Sequence, residues 1–243
     1  MINTYLDSTI HSASLLLDLM DIPTITPGAL VFVLLLLAFC ILLSLEIHFP
    51  KEKCPIKKLR QSCFTNISLF MFNNAVLSLL SVSALLVLTE HYSNHGLLSE
   101  VTNPGWKIFL SFILLDLVAY LWHVACHQFN FLWMFHKVHH SDPYLNVSTA
   151  FRLHTIELGM FVVMKAGLII ILSVDKTSAL ACEAITTLFI MFHHTNIAFP
   201  GETQLSRLII VPALHRLHHS IKRIEHDQNY GAVMSYGIDY SGR

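Results

Sequence analysis

The stretch LLDLVAYLWHVACHQFNFLWMFHKVHH, Leu114–His140, changes character in its middle. Up to Trp122 it is apolar except for Asp116. From His123 it places five imidazoles in eighteen residues. The first half completes an apolar run, Trp106–Trp122, that reads as a membrane-embedded helix. The second half carries more histidine than packing requires. FHKVHH, Phe135–His140, returns further on as LHRLHHS, Leu214–Ser220, with the same His-x-x-His-His spacing. A membrane helix running into a repeated histidine motif sets both the fold class and the chemistry.

The rest of the chain agrees with a bilayer setting. Of 243 residues, 54% are hydrophobic and 13% charged, against about 25% charged in soluble domains. The formal charge of −1 gives no basic field for nucleic acid. The five cysteines are scattered without a C-x-x-C, which argues against a disulfide framework or zinc ribbon. Ala29–Leu45 has no charge and is the clearest spanning helix; Glu46, His48 and Pro50 end it. Thr65–Leu88, polar at Asn66, Asn73 and Asn74, is a second span, and Trp106–Trp122 a third. Leu158–Val174 and Ser178–Phe192, containing Lys165 and Glu183, read as two short spans or a re-entrant hairpin.

The expected fold is therefore all-α, an integral membrane helical bundle of about four or five membrane-embedded helices with a His-rich helical cap on the cytoplasmic face. Residues 1–27, with a short helix over Ile10–Met20, form an N-terminal interfacial segment without the basic start of a signal peptide. Residues 28–105 form the N-terminal transmembrane helices, and 106–243 the histidine domain. The basic run Lys51–Arg60 belongs on the cytoplasmic side. Counting spans from it brings every dense His cluster to that same side. The sequons at Asn66 and Asn146 then lie inside or embedded, and read as unglycosylated.

Twelve of the sixteen histidines lie between 123 and 226. His123 and His127 are spaced i, i+4, and His136, His139 and His140 i, i+3, i+4, so on a helix each set shares a face. His193–His194 and His215, His218 and His219 complete ten imidazoles. One tetrahedral metal uses four ligands, so ten fit two metals better than one. Imidazole alone leaves Fe, Zn, Cu and Ni open. There is no H-E-x-x-H for a zincin and no Glu-x-x-His pattern of soluble carboxylate di-iron bundles. Asp116 lies two helical turns before His123 and is a candidate to hold a ligand imidazole through its other nitrogen. Asp142, Glu157, Asp227 and Asn229 are similar candidates. His226 reads as an ordinary surface residue, and Trp122, Phe129, Phe131, Trp133 and Phe135 as interfacial anchors.

In order, spacing and flanks, this region resembles the fatty acid hydroxylase/sterol desaturase superfamily. The match runs over roughly 110–236, through the stretch above, then SDPYLNVSTAFRLHTIE, MFHHTNI, LHRLHHS and DQNYG. It is nearest to small bacterial sterol-desaturase-like members, and beyond them to alkylglycerol monooxygenase. After NYG the family usually carries a Trp-Asp pair, where this chain reads SYGIDYSGR.

The resemblance implies a non-haem di-iron centre held by His123, His127, His136, His139, His140, His215, His218 and His219, with His194 from the third box. His193 and His154 match positions where such members also carry His, and are further candidate ligands. It implies an O₂-dependent hydroxylase or desaturase acting on a membrane lipid such as a fatty acid, sterol or ether lipid. Two Fe (or Zn acquired on purification), O₂ and an external electron donor, an electron-transfer protein or reductase, would be required. A multi-pass protein of this kind sits in the inner membrane of a bacterium or the endoplasmic reticulum of a eukaryote. Two rivals differ in class: a non-enzymatic metal-binding or transport protein, with ligands near the membrane midplane, and a zinc-dependent membrane hydrolase using metal-bound water.

Overall fold

A computed structural model describes residues 26–79 and 96–236. The expected Ile10–Met20 helix, the end of the second span and the SYGIDYSGR tail beyond Tyr236 lie outside the described residues. The chain divides between Leu34 and Leu35. Of the first unit, residues 26–34 are described, and Pro27–Leu34 form the opening turns of α1.

Among the described residues the fold is helical, without a strand. Five long helices are α1 (Pro27–His48), α2 (Ile56–Leu79), α3 (Pro104–Gln128), α5 (Thr155–Leu172) and α6 (Lys176–His193). Short helices follow from the loops: α4 (Asn130–His136), α7 (Glu202–Leu205), α8 (Pro212–His218) and α9 (Arg223–His226). Two 3₁₀ turns, His139–Ser141 and Val147–Phe151, lie between α4 and α5.

Local chemistry sets the ends. Asn103 caps α3 by accepting from the Trp106 amide, with Pro104 in the first turn. His154 caps α5 through its ring, accepting from the Ile156 amide at 3.1 Å. Ser173, at φ 61°, ends α5 in the left-handed conformation. Asp175 at once caps α6, accepting from the Ser178 amide and hydroxyl. That tight reversal makes α5 and α6 a hairpin. Leu115, Ile169, Leu172, Ala179 and Cys182 pack together around it, and Lys165 pairs with Glu183 at 2.7 Å. The two charges inside the apolar runs thus neutralise each other.

Among the described residues three helices, α1, α3 and α5, are long and apolar enough to cross a membrane. The expected spans also included Ser178–Phe192, which lies in α6, and Thr65–Leu88, which runs past Leu79, where the described part of α2 ends. Ser62, Asn66 and Asn73 are buried and hold the loop between α4 and α5. Ser62 Oγ donates to Asp142 at 2.7 Å, and Asn66 Nδ2 donates to the same carboxylate at 2.8 Å. Thr149 Oγ1 and the Tyr144 amide add two more donors. Asn66 Oδ1 accepts from Arg152, and Asn73 Nδ2 donates to the Leu153 carbonyl. Both sequon asparagines, Asn66 and Asn146, are buried.

Glu46, which at first sight merely ends α1, is also buried. Its Oε2 accepts from the amides of Val147 and Asn196. It therefore ties α1 to the loop before α5 and to the turn after α6. The N-terminus of α5 and the turn after α6 both meet this polar belt.

Replacing Asp142 by Ala strands four donors in a buried setting. A loss of about 3 kcal/mol is expected. It would be read as a lowered thermal unfolding midpoint, against no change for the exposed control Lys137→Ala.

Candidate metal centre

The histidines converge into two groups. His123, His127, His136, His140 and His218 bring one ring nitrogen each to within 4.8 Å of one another, as do His139, His194, His215 and His219. His123 and His127 come from the last turns of α3, His136 from the end of α4, and His194 from the end of α6. His215 and His218 come from α8, whose Pro212 start leads directly into the motif.

Each His-x-x-His-His motif is divided between the groups. His136 and His140 join the first and His139 the second; His218 joins the first, while His215 and His219 join the second. The chain departs from the expected single face in the same way in both motifs: the i and i+4 imidazoles go to one group and the i+3 imidazole to the other, although α4 ends at His136 while α8 runs on to His218. The groups are neighbours: the rings of His140 and His219 stack with centroids 4.4 Å apart.

The outer nitrogens decide the protonation of the inner ones. His123 Nδ1 lies 2.9 Å from the Tyr230 carbonyl and His218 Nδ1 2.7 Å from that of Gln228. A carbonyl only accepts, so each Nδ1 carries the proton and donates. In a neutral ring, Nε2 is then a bare lone pair. Yet the Nε2 atoms of His123 and His218 stand 2.9 Å apart. The second group repeats this: His194 Nδ1 donates to Ile190 O and His139 Nδ1 to Arg152 O, while their Nε2 atoms are 3.1 Å apart. Two lone pairs cannot bond each other.

Protonating the rings is no escape. Burial holds the imidazoles of His139, His140, His194, His215, His218 and His219 well below their ordinary value, and neighbouring imidazoles add to this. A cation between converging lone pairs resolves the arrangement. His136 makes the same point, since its Nδ1 meets Glu157 at 2.6 Å and its Nε2 is buried without a partner. Among the described residues the donor set thus fits two metal ions, held mainly by neutral imidazole.

The other candidates fall in different places. His154 caps α5 and packs on Phe135, outside both groups. His193 is buried beside His215 but joins neither group. Asp227 reaches His127 Nδ1 at 3.3 Å. The other three carboxylate and amide candidates bond elsewhere. Asp142 serves the α2 network, and Asn229 donates to Leu214 O. Asp116 reaches no imidazole: it accepts from the Val233 and Met234 amides and the Tyr236 hydroxyl. It acts at one remove, fastening the segment whose Tyr230 carbonyl receives His123.

His226 is no ordinary surface residue. Its ring stacks on Trp133 at 5.6 Å and lies 5.7 Å from that of His127. Trp133 consequently belongs to the site's wall rather than to an interfacial belt, and Phe135 is buried, whereas Phe129 and Phe131 are exposed. The carbonyl acceptors Arg152, Gln228 and Tyr230 carry no side-chain signal. Glu46 did: an acid at the end of an uncharged run invites a functional or structural reading.

A cavity of about 140 Å³ opens beside both groups. His123 and His136 reach it from one, and His139, His194 and His215 from the other. The facing wall includes Trp122, Leu158 and Phe161. Its size compares with an apolar cavity of about 150 Å³ that holds one benzene, so it admits a short length of alkyl chain.

The family model for fatty acid hydroxylase matches residues 108–242. The chain belongs to the fatty acid hydroxylase family. Its similarity to known relatives is at modest identity. It is 27% identical over 144 residues to alkylglycerol monooxygenase of Danio rerio, covering 59% of this chain and 31% of that protein. The Caenorhabditis elegans alkylglycerol monooxygenase is 28% identical over 145 residues, 58% of this chain and 28% of its own. Ornithine lipid hydroxylase OlsE of Rhizobium tropici is 27% identical over 127 residues, 52% of this chain and 38% of its own. The chain spans about a third of the length of these relatives. No solved structure matches it significantly.

Two measurements check this geometry. Unfolded imidazoles take up protons below about pH 6.5, while the buried ones resist it. The metal-free protein should hold full stability above that pH and lose it as the pH falls towards about 5. A thermal midpoint flat across this range would contradict the buried, neutral state. In the second, Asp116→Leu should speed amide exchange at Val233 and Met234.

Proposed function

We propose that this chain is a multi-pass membrane-bound non-haem di-iron lipid hydroxylase. The observation that carries the reading is the pair of imidazole groups, each with lone pairs turned inward, beside one small apolar-walled cavity. Family membership and the lipid hydroxylases among its relatives support it. Iron, bound as a pair, would supply O₂ activation and the oxidation of an unactivated C–H bond.

The chain's own residues hold and shape that chemistry. His123, His127, His136, His140 and His218 hold one ion, and His139, His194, His215 and His219 the other. Glu157 and the carbonyls of Tyr230, Gln228, Arg152 and Ile190 fix the tautomer and aim of their rings. Trp122, Leu158 and Phe161 hold a length of alkyl chain against the metals and keep water away. One oxygen atom enters the C–H bond as a hydroxyl and the other leaves as water. The two electrons and two protons required come from an external donor, since the chain carries no flavin or haem motif. The basic run Lys51–Arg60 supports a centre at the cytoplasmic side, where a soluble donor would reach it.

The test is metal content and labelled-oxygen incorporation on anaerobically purified protein. Two Fe per chain are expected, with labelled O₂ entering a membrane lipid when a reductant is supplied. His218→Ala and His215→Ala remove ligands from different groups. Each should lower the metal content by about one ion and turnover by more than about a hundredfold. Zinc content with no O₂ uptake on any lipid, or full turnover in either variant, would overturn the reading.

A further inference from the structure

Among the described residues one buried imidazole stands outside both groups. His193 ends α6, is 2% exposed, and lines the cavity. Its Nδ1 is buried without a hydrogen-bond partner. A buried polar atom left unpaired is costly and is seldom kept without a use. The neighbouring His194 spends Nδ1 on the Ile190 carbonyl and turns Nε2 to its group. His193 does neither, and its ring nitrogens are not among the four atoms that converge there.

Apart from the imidazoles of the two groups and Glu157, the wall around it is suited to hydrocarbon, with Trp122, Leu158, Phe161 and Ile190. Glu157 accepts from His136 through Oε1, and as a carboxylate its Oε2 can only accept. A neutral imidazole offers one donor and one acceptor. The group it can best pair with inside an apolar cavity is an uncharged oxygen. Its ring lies 4.1 Å from that of His215, so an oxygen held by His193 would sit beside the second histidine group.

We propose that His193 is a specificity-determining residue that hydrogen-bonds an ether, ester, hydroxyl or carbonyl oxygen of the lipid. The carbon presented for reaction then lies a few bonds from that oxygen, near the polar junction of the lipid and away from the middle of its tail. This inference rests on the lipid hydroxylase reading and names its substrate class.

The full chain, metal-loaded in detergent, is titrated with two probes of equal chain length, hexadecyl glyceryl ether and hexadecane. Binding is followed by tryptophan fluorescence, to which Trp122 in the cavity wall contributes. His193→Leu, His193→Gln and the unaltered protein are compared, and their metal content is measured. The unaltered protein should prefer the ether at least about tenfold, because a site built to bond an oxygen rejects the analogue lacking it. His193→Leu should abolish the preference, His193→Gln should keep part of it, and all three should hold the same metal.

Equal affinity of the unaltered protein for both probes would overturn the proposal, and that comparison stands even where the Leu variant does not fold. Loss of a metal ion in the His193 variants would overturn it too, by making His193 a ligand. Hydroxylation without an oxygen preference would sink this inference and leave the function standing. Preference without hydroxylation would do the reverse.

Discussion

A carbonyl oxygen cannot donate a hydrogen bond, and much of this structure follows from that. Each outer Nδ1 that meets a backbone carbonyl must carry the ring's proton. The inner nitrogen is then a lone pair, and the fold packs such lone pairs face to face at about 3 Å. Burial disfavours the alternative of charged rings. The inner nitrogens are therefore aimed as donors to cations, and main-chain atoms set that aim as much as the histidines do. The polar belt made by Asp142, Asn66, Arg152 and Glu46 serves the same end, since it fixes the loops that supply those carbonyls.

The membrane setting sharpens this arrangement. In an apolar environment an unpaired polar group is expensive, so polar residues need a stated partner. Most of those in the described helices have one. Lys165 has Glu183, Asn73 has Leu153 and Thr155, and Glu46 has two amides. Of the buried polar atoms left over, those of His136, Glu157, His193 and His215 belong to residues that line one cavity, while those of Glu46, Ser111 and Arg216 lie away from it.

Sequence reading recovered the outline because its two signals are local. An uncharged run of helical length and a His-x-x-His-His spacing both sit within a few turns of chain. The apolar helices α1, α3 and α5 and the nine converging histidines were legible for that reason. What was not legible depends on partners far away in the chain. Asp116 meets residues more than a hundred positions later. His226 acquires its place from Trp133 and His127. The division of each motif, i and i+4 to one group and i+3 to the other, depends on where the two groups lie around it, which the residue spacing alone does not reveal. Asn66 and Asn73 looked like blemishes in a span, and only the loop they hold explains them.

That division also bears on how the protein must be assembled. His136 and His139 are three residues apart, as are His215 and His218, so an unfolded chain offers each motif as a ready local chelator. A metal captured there would clamp together rings that the finished protein sends to different groups. Some pairs that belong together are four residues apart, such as His136 with His140, but completing a group needs others, such as His123 with His218, that are separated by 95 residues, and closing so long a loop is slow. On the two-metal reading, early capture is a kinetic trap, and productive loading follows the folding of the bundle. Metal supplied too soon would act as a poison of maturation rather than a cofactor.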